Sequence, residues 1–142
     1  MCQESWKRVY HDWEYKFWDD DDLRNLISTH YPEYLRFYDS LPVKICRIDA
    51  ARCFILHFHG GLYADLDYYC HKKMDLDNVS IALVGSNAGD EVVQNSMMAS
   101  IPGHPFWVDT FYAMVDELRK APIAPSLERE WKKHGEYVIV FL

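Results

Sequence analysis

Apolar and polar positions in this chain change period several times, and each change marks a predicted element. Glu14–Trp18 alternates with period two and predicts a strand, after which Asp21–His30 repeats at helical spacing. Pro32 suits the first position of a helix and predicts a second short one through Tyr38. Across Arg47–Leu56 and just beyond, Ile48, Ala51, Ile55 and Phe58 recur at helical spacing and predict a buried stripe. Gly60 or Gly61 suits the left-handed residue that ends such a helix. Leu62–Asp67 then reads as extended, and Ile81–Gly85 as a short buried strand. Pro105 opens a longer helix from Phe106 to about Arg119, offering Phe106, Val108, Phe111, Met114, Val115 and Leu118 to the core. Pro122 and Pro125 are expected to end regular structure. No repeat or low-complexity linker interrupts the pattern, which predicts one domain over residues 1–142.

The chemistry concentrates where helix gives way to strand. In an extended Leu62–Asp67, side chains at i and i+2 leave the same face, so Asp65 and Asp67 converge. Two convergent carboxylates repel unless a cation sits between them. Oxygen-only ligands favour a hard divalent ion, Mn2+ or Mg2+, rather than zinc. Such an ion commonly holds substrate phosphates, which points to a nucleotide-linked substrate. An isolated Asp-x-Asp in an acidic chain is more often a solvated loop pair. Here the order helix, Gly-Gly, strand, acid pair puts the carboxylates at a strand end, where open α/β sheets bind ligands. Asp49 and Arg52, three residues apart, share a second face of the preceding helix. Alone they would be a surface ion pair of little consequence. Next to the acid pair, their face would look toward the metal.

Composition narrows the partners. The chain has 142 residues, 49% hydrophobic, enough for one core, and a formal charge of −7 argues against nucleic acid. Part of that acidity, Asp19–Asp22, precedes a helix and reads as capping. No run of about 18 apolar residues predicts a membrane span, and Glu4 with Trp6-Lys7-Arg8 interrupts any secretory pattern. Cys2, Cys46, Cys53 and Cys70 contain no Cys-x-x-Cys pair. Cys53, His57, His59, Cys70 and His71 form a loose zinc candidate without the usual ligand spacing, so packing or surface roles are the expectation.

The segment RIDAARCFILHFHGGLYADLD resembles the signature of glycosyltransferase family 32, the enzymes with a DXD sugar-binding region. The family includes yeast-type initiating mannosyltransferases and mannosyltransferases acting on inositol phosphorylceramide; the clostridial glucosylating toxins are distant relatives. WEYKFWDDDDLRNLISTHYPEYLRFYDSLP resembles the upstream block and NSMMASIPGHPFW the downstream one, so the likeness spans about residues 13–120. The resemblance implies an α/β GT-A-type nucleotide-sugar-binding sandwich. It implies retaining transfer from a nucleotide-diphosphate donor, GDP-mannose or a UDP-sugar, to a glycan or glycolipid hydroxyl, with Mn2+ (or Mg2+) as cofactor. It further implies that Asp65 lies near the donor ribose and sugar, with Asp67 on the metal. Asp49 and Arg52 would hold sugar hydroxyls, and Tyr63 would lie near the diphosphate. Asn95 and His104 match recurrent downstream positions, Asn95 being counted with the donor-binding set.

The family's opening strand and its late TGP segment have no counterpart in this sequence, and HGEYVIVFL does not align. The expectation is a domain truncated at both ends. A non-catalytic remnant that binds metal or nucleotide, or only packs against a partner, is the alternative to an active transferase. Compartment follows the source: Golgi lumen or membrane-associated in a eukaryote, cytoplasm in a bacterium.

Overall fold

The computed structural model describes residues 1–85, 93–120 and 138–141. Along the chain run α1 (Cys2–Val9), β1 (Tyr15–Trp18), α2 (Asp20–His30), a 3-10 turn (Pro32–Tyr34), α3 (Leu35–Ser40) and α4 (Lys44–His59). Then follow β2 (Gly61–Ala64), β3 (Ile81–Gly85), β4 (Val93–Ser100), α5 (Pro105–Lys120) and β5 (Val138–Phe141). The fold is mixed α/β around a five-stranded sheet of order β1-β5-β2-β4-β3, in which every neighbouring pair is antiparallel. Among the described residues no helix is long and apolar enough to cross a membrane.

Strand periodicity divides the core into two halves. Tyr63 and Met98, paired across β2 and β4, point into one cluster with Phe54, Ile55, Trp107 and Phe111 from the helical layer. Their sequence neighbours Leu62, Ala64 and Ala99 point the other way, onto Trp6 and Tyr10 of the α1 region and Cys70 of the loop after β2. The central strand is therefore buried on both faces, the usual cause of an unbroken apolar run.

The acidic run caps α2 as expected. The Asp22 amide donates 2.8 Å to Asp19 Oδ1, while Asp22 Oδ2 accepts from the Asp19 amide at 3.4 Å, a reciprocal box at the positive end of the helix dipole.

Helix α4 differs from its prediction. It is buried nearly all round from Ala50 to Leu56, Arg52 included, so its environment has little polarity contrast for periodicity to reveal. Phe58, predicted to be in the stripe, is 39% exposed and packs at a tilt against His30 instead, ring centroids 4.0 Å apart. In α5 the buried anchors are Trp107 and Phe111, while Phe106 is largely exposed. Trp107 donates its indole N–H 2.8 Å to Ser100 Oγ, which in turn donates to the Leu56 carbonyl at 3.3 Å. The strand predicted over Leu62–Asp67 stops at Ala64. Pro122 and Pro125 lie outside the described residues, yet the chain regains regular structure at β5, between β1 and β2.

Gly60 makes the reversal from α4 into β2 possible. Its φ of 71° and ψ of −150° lie in a region essentially restricted to glycine. A Cβ there would meet Pro102 Cδ at 2.7 Å and the Ser100 carbonyl oxygen at 2.9 Å. Gly60→Ala should cost about 2 kcal/mol or more, from strain and overlap together. Gly85→Ala, where nothing lies within 4 Å of the added carbon, is the control and should change little. Urea unfolding of both variants checks this; equal stability would refute the role assigned to Gly60.

Candidate functional site

The site forms where the middle of α4 faces the ends of β2 and β4. Arg52, 3% exposed, projects from α4 with its guanidinium carbon 4.6 Å from the centroid of the Tyr63 ring, a cation–π distance. Its Nη2 pairs with Asp49 Oδ1 at 2.6 Å, one helical turn back. Its Nη1 donates to the Asn95 carbonyl at 2.7 Å and reaches Asp65 Oδ1 at 3.4 Å. Asn95 closes the ring by donating its side-chain amide to Asp49 Oδ1 at 3.1 Å. One buried cation thus ties together residues 13 and 43 positions away in sequence.

Burial is unequal across this group. Against the enclosed Arg52, the Asp49 and Asp65 side chains keep 40% and 36% of their surface open. The carboxylates face outward and their counter-charge sits behind them. Tyr63 donates its hydroxyl to Asp65 Oδ1. Burial, then the neighbouring Asp65 and Asp49 charges, outweigh the opposing pull of Arg52, so the phenol's pKa is raised and it remains a proton donor to the carboxylate. The side-chain bonds from Tyr63 and Arg52 to Asp65 both engage Oδ1. Its backbone N–H donates 2.8 Å to the Ser96 carbonyl, carrying the β2–β4 ladder one residue past the strand.

Asp65 and Asp67 do not lie on one extended strand, the geometry from which their convergence was expected. Tyr68 N–H bonds back to the Asp65 carbonyl at 3.2 Å, closing a turn with Leu66 and Asp67 at its centre. Asp67 is therefore an exposed turn residue beyond the strand end. Period-two reasoning fails here because the ladder ends with the Asp65 amide. His104 belongs to the start of α5: its Nδ1 accepts the Phe106 N–H and its carbonyl the Trp107 N–H, each at 3.2 Å. Such a capping role is legible one residue before Pro105.

Among the described residues no three Asp, Glu, His or Cys side chains are grouped to hold a metal ion. The zinc candidate is not assembled. Cys53 and Cys70 belong to opposite halves of the core, and all four cysteines are free thiols. Cys53 is pushed up to about 12 by burial, and His57 Nδ1 is 2.6 Å from the Tyr31 hydroxyl. Asp49 also borders a cleft of about 310 Å³ between α3, α4 and α5, walled by Phe37, Leu41, Cys46, Met114 and Leu118. Sequence reasoning did not find this cleft, because its walls come from separate helices.

Desolvation raises the Asp49 pKa above its usual 3.8 despite Arg52, and the charge of Asp65 adds to the rise. An acid with a raised folded pKa contributes stability that is fully present below its unfolded pKa and lost as pH rises through the folded one. Asp49→Asn removes this loss. The stability difference between variant and wild type should therefore shift in favour of the variant as pH climbs from about 3.8, the ordinary value. Urea midpoints across that range test it, and a pH-independent difference would reject the assignment.

Comparison with known proteins shows the family. The family model described as glycosyltransferase sugar-binding region containing DXD motif matches residues 1–85. Inositol phosphoceramide mannosyltransferase 2 of Schizosaccharomyces pombe is 37% identical over 107 residues, 75% of this chain and 30% of the relative. Inositol phosphoceramide mannosyltransferase 3 of the same yeast is 39% identical over 107 residues, 74% of this chain and 29% of the relative. Mannosyl phosphorylinositol ceramide synthase SUR1 of Saccharomyces cerevisiae is 34% identical over 114 residues, again 74% and 29%. The chain thus spans less than a third of the length of these relatives. No solved structure matches it. A family match over more than half the chain, with relatives above 30% identity that align with about three quarters of it, shows that this protein belongs to the glycosyltransferases whose sugar-binding region contains the DXD motif.

Proposed function

We propose that this chain is the donor-binding core of a glycosyltransferase of the GT-A type. It would move a hexose, mannose by preference, from a nucleotide diphosphate to a hydroxyl of a glycan or glycolipid with retention of configuration. The observation that carries the reading is the outward-facing pair Asp49 and Asp65 held over one buried guanidinium. Carboxylates that are fixed, half-exposed and backed by a cation accept hydrogen bonds from sugar hydroxyls without reorganising. The names of the yeast relatives favour mannose as the sugar and an inositol phosphoceramide as the acceptor.

The residues also suit a hard divalent ion. Asp65 and Asp67 offer only oxygen donors at a solvent-facing turn, and one or two carboxylates plus substrate phosphates is the usual protein share of a magnesium-type site. When bound, such an ion supplies Lewis-acid stabilisation of the leaving diphosphate. The chain's own groups do the rest. Tyr63 orients Asp65 through its hydroxyl, Asn95 and the buried Arg52 hold Asp49 in place from behind, and Asp49 would hold the sugar; the direct sugar contact expected of Arg52 does not suit a side chain so enclosed.

Titration calorimetry with GDP-mannose and UDP-sugars in the presence of manganese tests this reading. Asp67→Asn should abolish metal-dependent donor binding and leave the circular dichroism spectrum unchanged, because Asp67 packs into no core. Metal-dependent affinity equal to wild type would reject the site. Asp49→Ala should weaken the sugar nucleotide far more than the free nucleotide, since a charge-assisted contact to a hydroxyl is worth about 1.5–3 kcal/mol. Equal losses for the two ligands would place Asp49 outside the sugar contact.

A further inference from the structure

The turn that carries Asp67 is held from two sides, and the second side lies far away in sequence. On the near side, Asp65 is fixed by the Ser96 carbonyl, by Tyr63 and by Arg52. On the far side, the chain leaving the turn is gripped by α1. The Trp6 indole donates 2.7 Å to the Tyr68 carbonyl, and Ser5 Oγ accepts the Cys70 amide at 2.8 Å. Ser5 also donates to the Cys2 carbonyl at 2.5 Å, which fixes its hydroxyl direction. The Cys2 thiol reaches the Asp67 carbonyl itself at 3.4 Å. Further along, the Tyr10 hydroxyl accepts the Met74 amide at 3.0 Å and Lys73 pairs with Asp12 at 2.6 Å.

We infer that α1 is the clamp that sets the position of Asp67, with Ser5 and Trp6 as positioning residues for the metal. Both are buried, 3% and 5% exposed, and touch the segment leaving the turn through directed hydrogen bonds. The grip falls on the residue immediately after Asp67 and on the one two further along. Without it the exit of the turn would keep only the bonds of the Tyr68 hydroxyl to Ser96 at 2.9 Å and Gln94 at 3.4 Å, made at the tip of a long side chain, and the Asp67 backbone would be less constrained. A small hard cation demands near-ideal octahedral geometry, so freedom in one carboxylate translates directly into lost affinity. Removal of groups that orient a ligand typically costs 10- to 100-fold in metal affinity. The inference rests on the metal role proposed for Asp67, and its test separates the two.

The experiment titrates manganese into the whole chain with saturating GDP or UDP, read by water-proton relaxation, for wild type, Ser5→Ala, Trp6→Phe and Asp67→Asn. Trp6→Phe keeps the aromatic packing and deletes only the N–H, so it decides the matter if Ser5→Ala does not fold. Each folded clamp variant should bind manganese about tenfold more weakly. The same variants should keep wild-type affinity for GDP or UDP without manganese, which a merely destabilising effect would not reproduce. Wild-type manganese affinity in folded Trp6→Phe overturns the clamp. If Asp67→Asn itself retains wild-type affinity, the metal role of Asp67 fails and the clamp falls with it.

Discussion

Arg52 is the constraint on which the rest depends. A guanidinium taken out of water on a helix buried on nearly every side carries a large desolvation cost. It is offset by the Asp49 carboxylate, the Asn95 carbonyl, the Asp65 carboxylate and the face of Tyr63. Those groups come from α4, β4, the end of β2 and β2, so satisfying one side chain fixes the helix on the sheet. The same contacts aim two carboxylates at solvent. Core packing and the orientation of the two half-exposed carboxylates therefore share one residue, and removing it would leave those carboxylates poorly compensated.

Glycine permits this geometry. The Gly60 backbone occupies a region closed to other residues and passes so close to Ser100 and Pro102 that no side chain fits. This lets β2 start immediately after α4 and run back beneath it. Arg52, two turns before the helix end, then stands over Tyr63 and Asp65. The Trp107–Ser100–Leu56 chain of hydrogen bonds closes the same corner from α5.

The sheet is antiparallel throughout its described strands, whereas the sequence argument leaned on the way parallel α/β sheets collect ligands at the carboxyl ends of their strands. The exposure of the turn after β2 has a different reason. β2 is a central strand, so its end emerges between two layers of packing, the helices on one face and α1 with the 65–80 segment on the other. A turn placed there is exposed at its tip and anchored at both roots.

The sequence by itself determined the local elements and the chemistry. Alternation marked β1, apolar spacing and capping residues marked α2, α4 and α5, and the glycine pair marked the reversal into β2. The resemblance to family blocks pointed to Asp49, Arg52, Tyr63, Asp65 and Asn95, and the structure gathers these five around the Arg52 guanidinium. What only the tertiary structure decided was depth and partnership. Period-two logic could not show that the ladder stops at the Asp65 amide, leaving Asp67 on a turn. Local ion-pair rules could not show that Arg52 is enclosed while its carboxylate partners are open. Nor could any local signal join Ser5 and Trp6 to residues more than 60 positions away. Helical and strand periods report which face of an element is buried, whereas the identity of what buries it depends on contacts between elements that no single stretch of sequence contains.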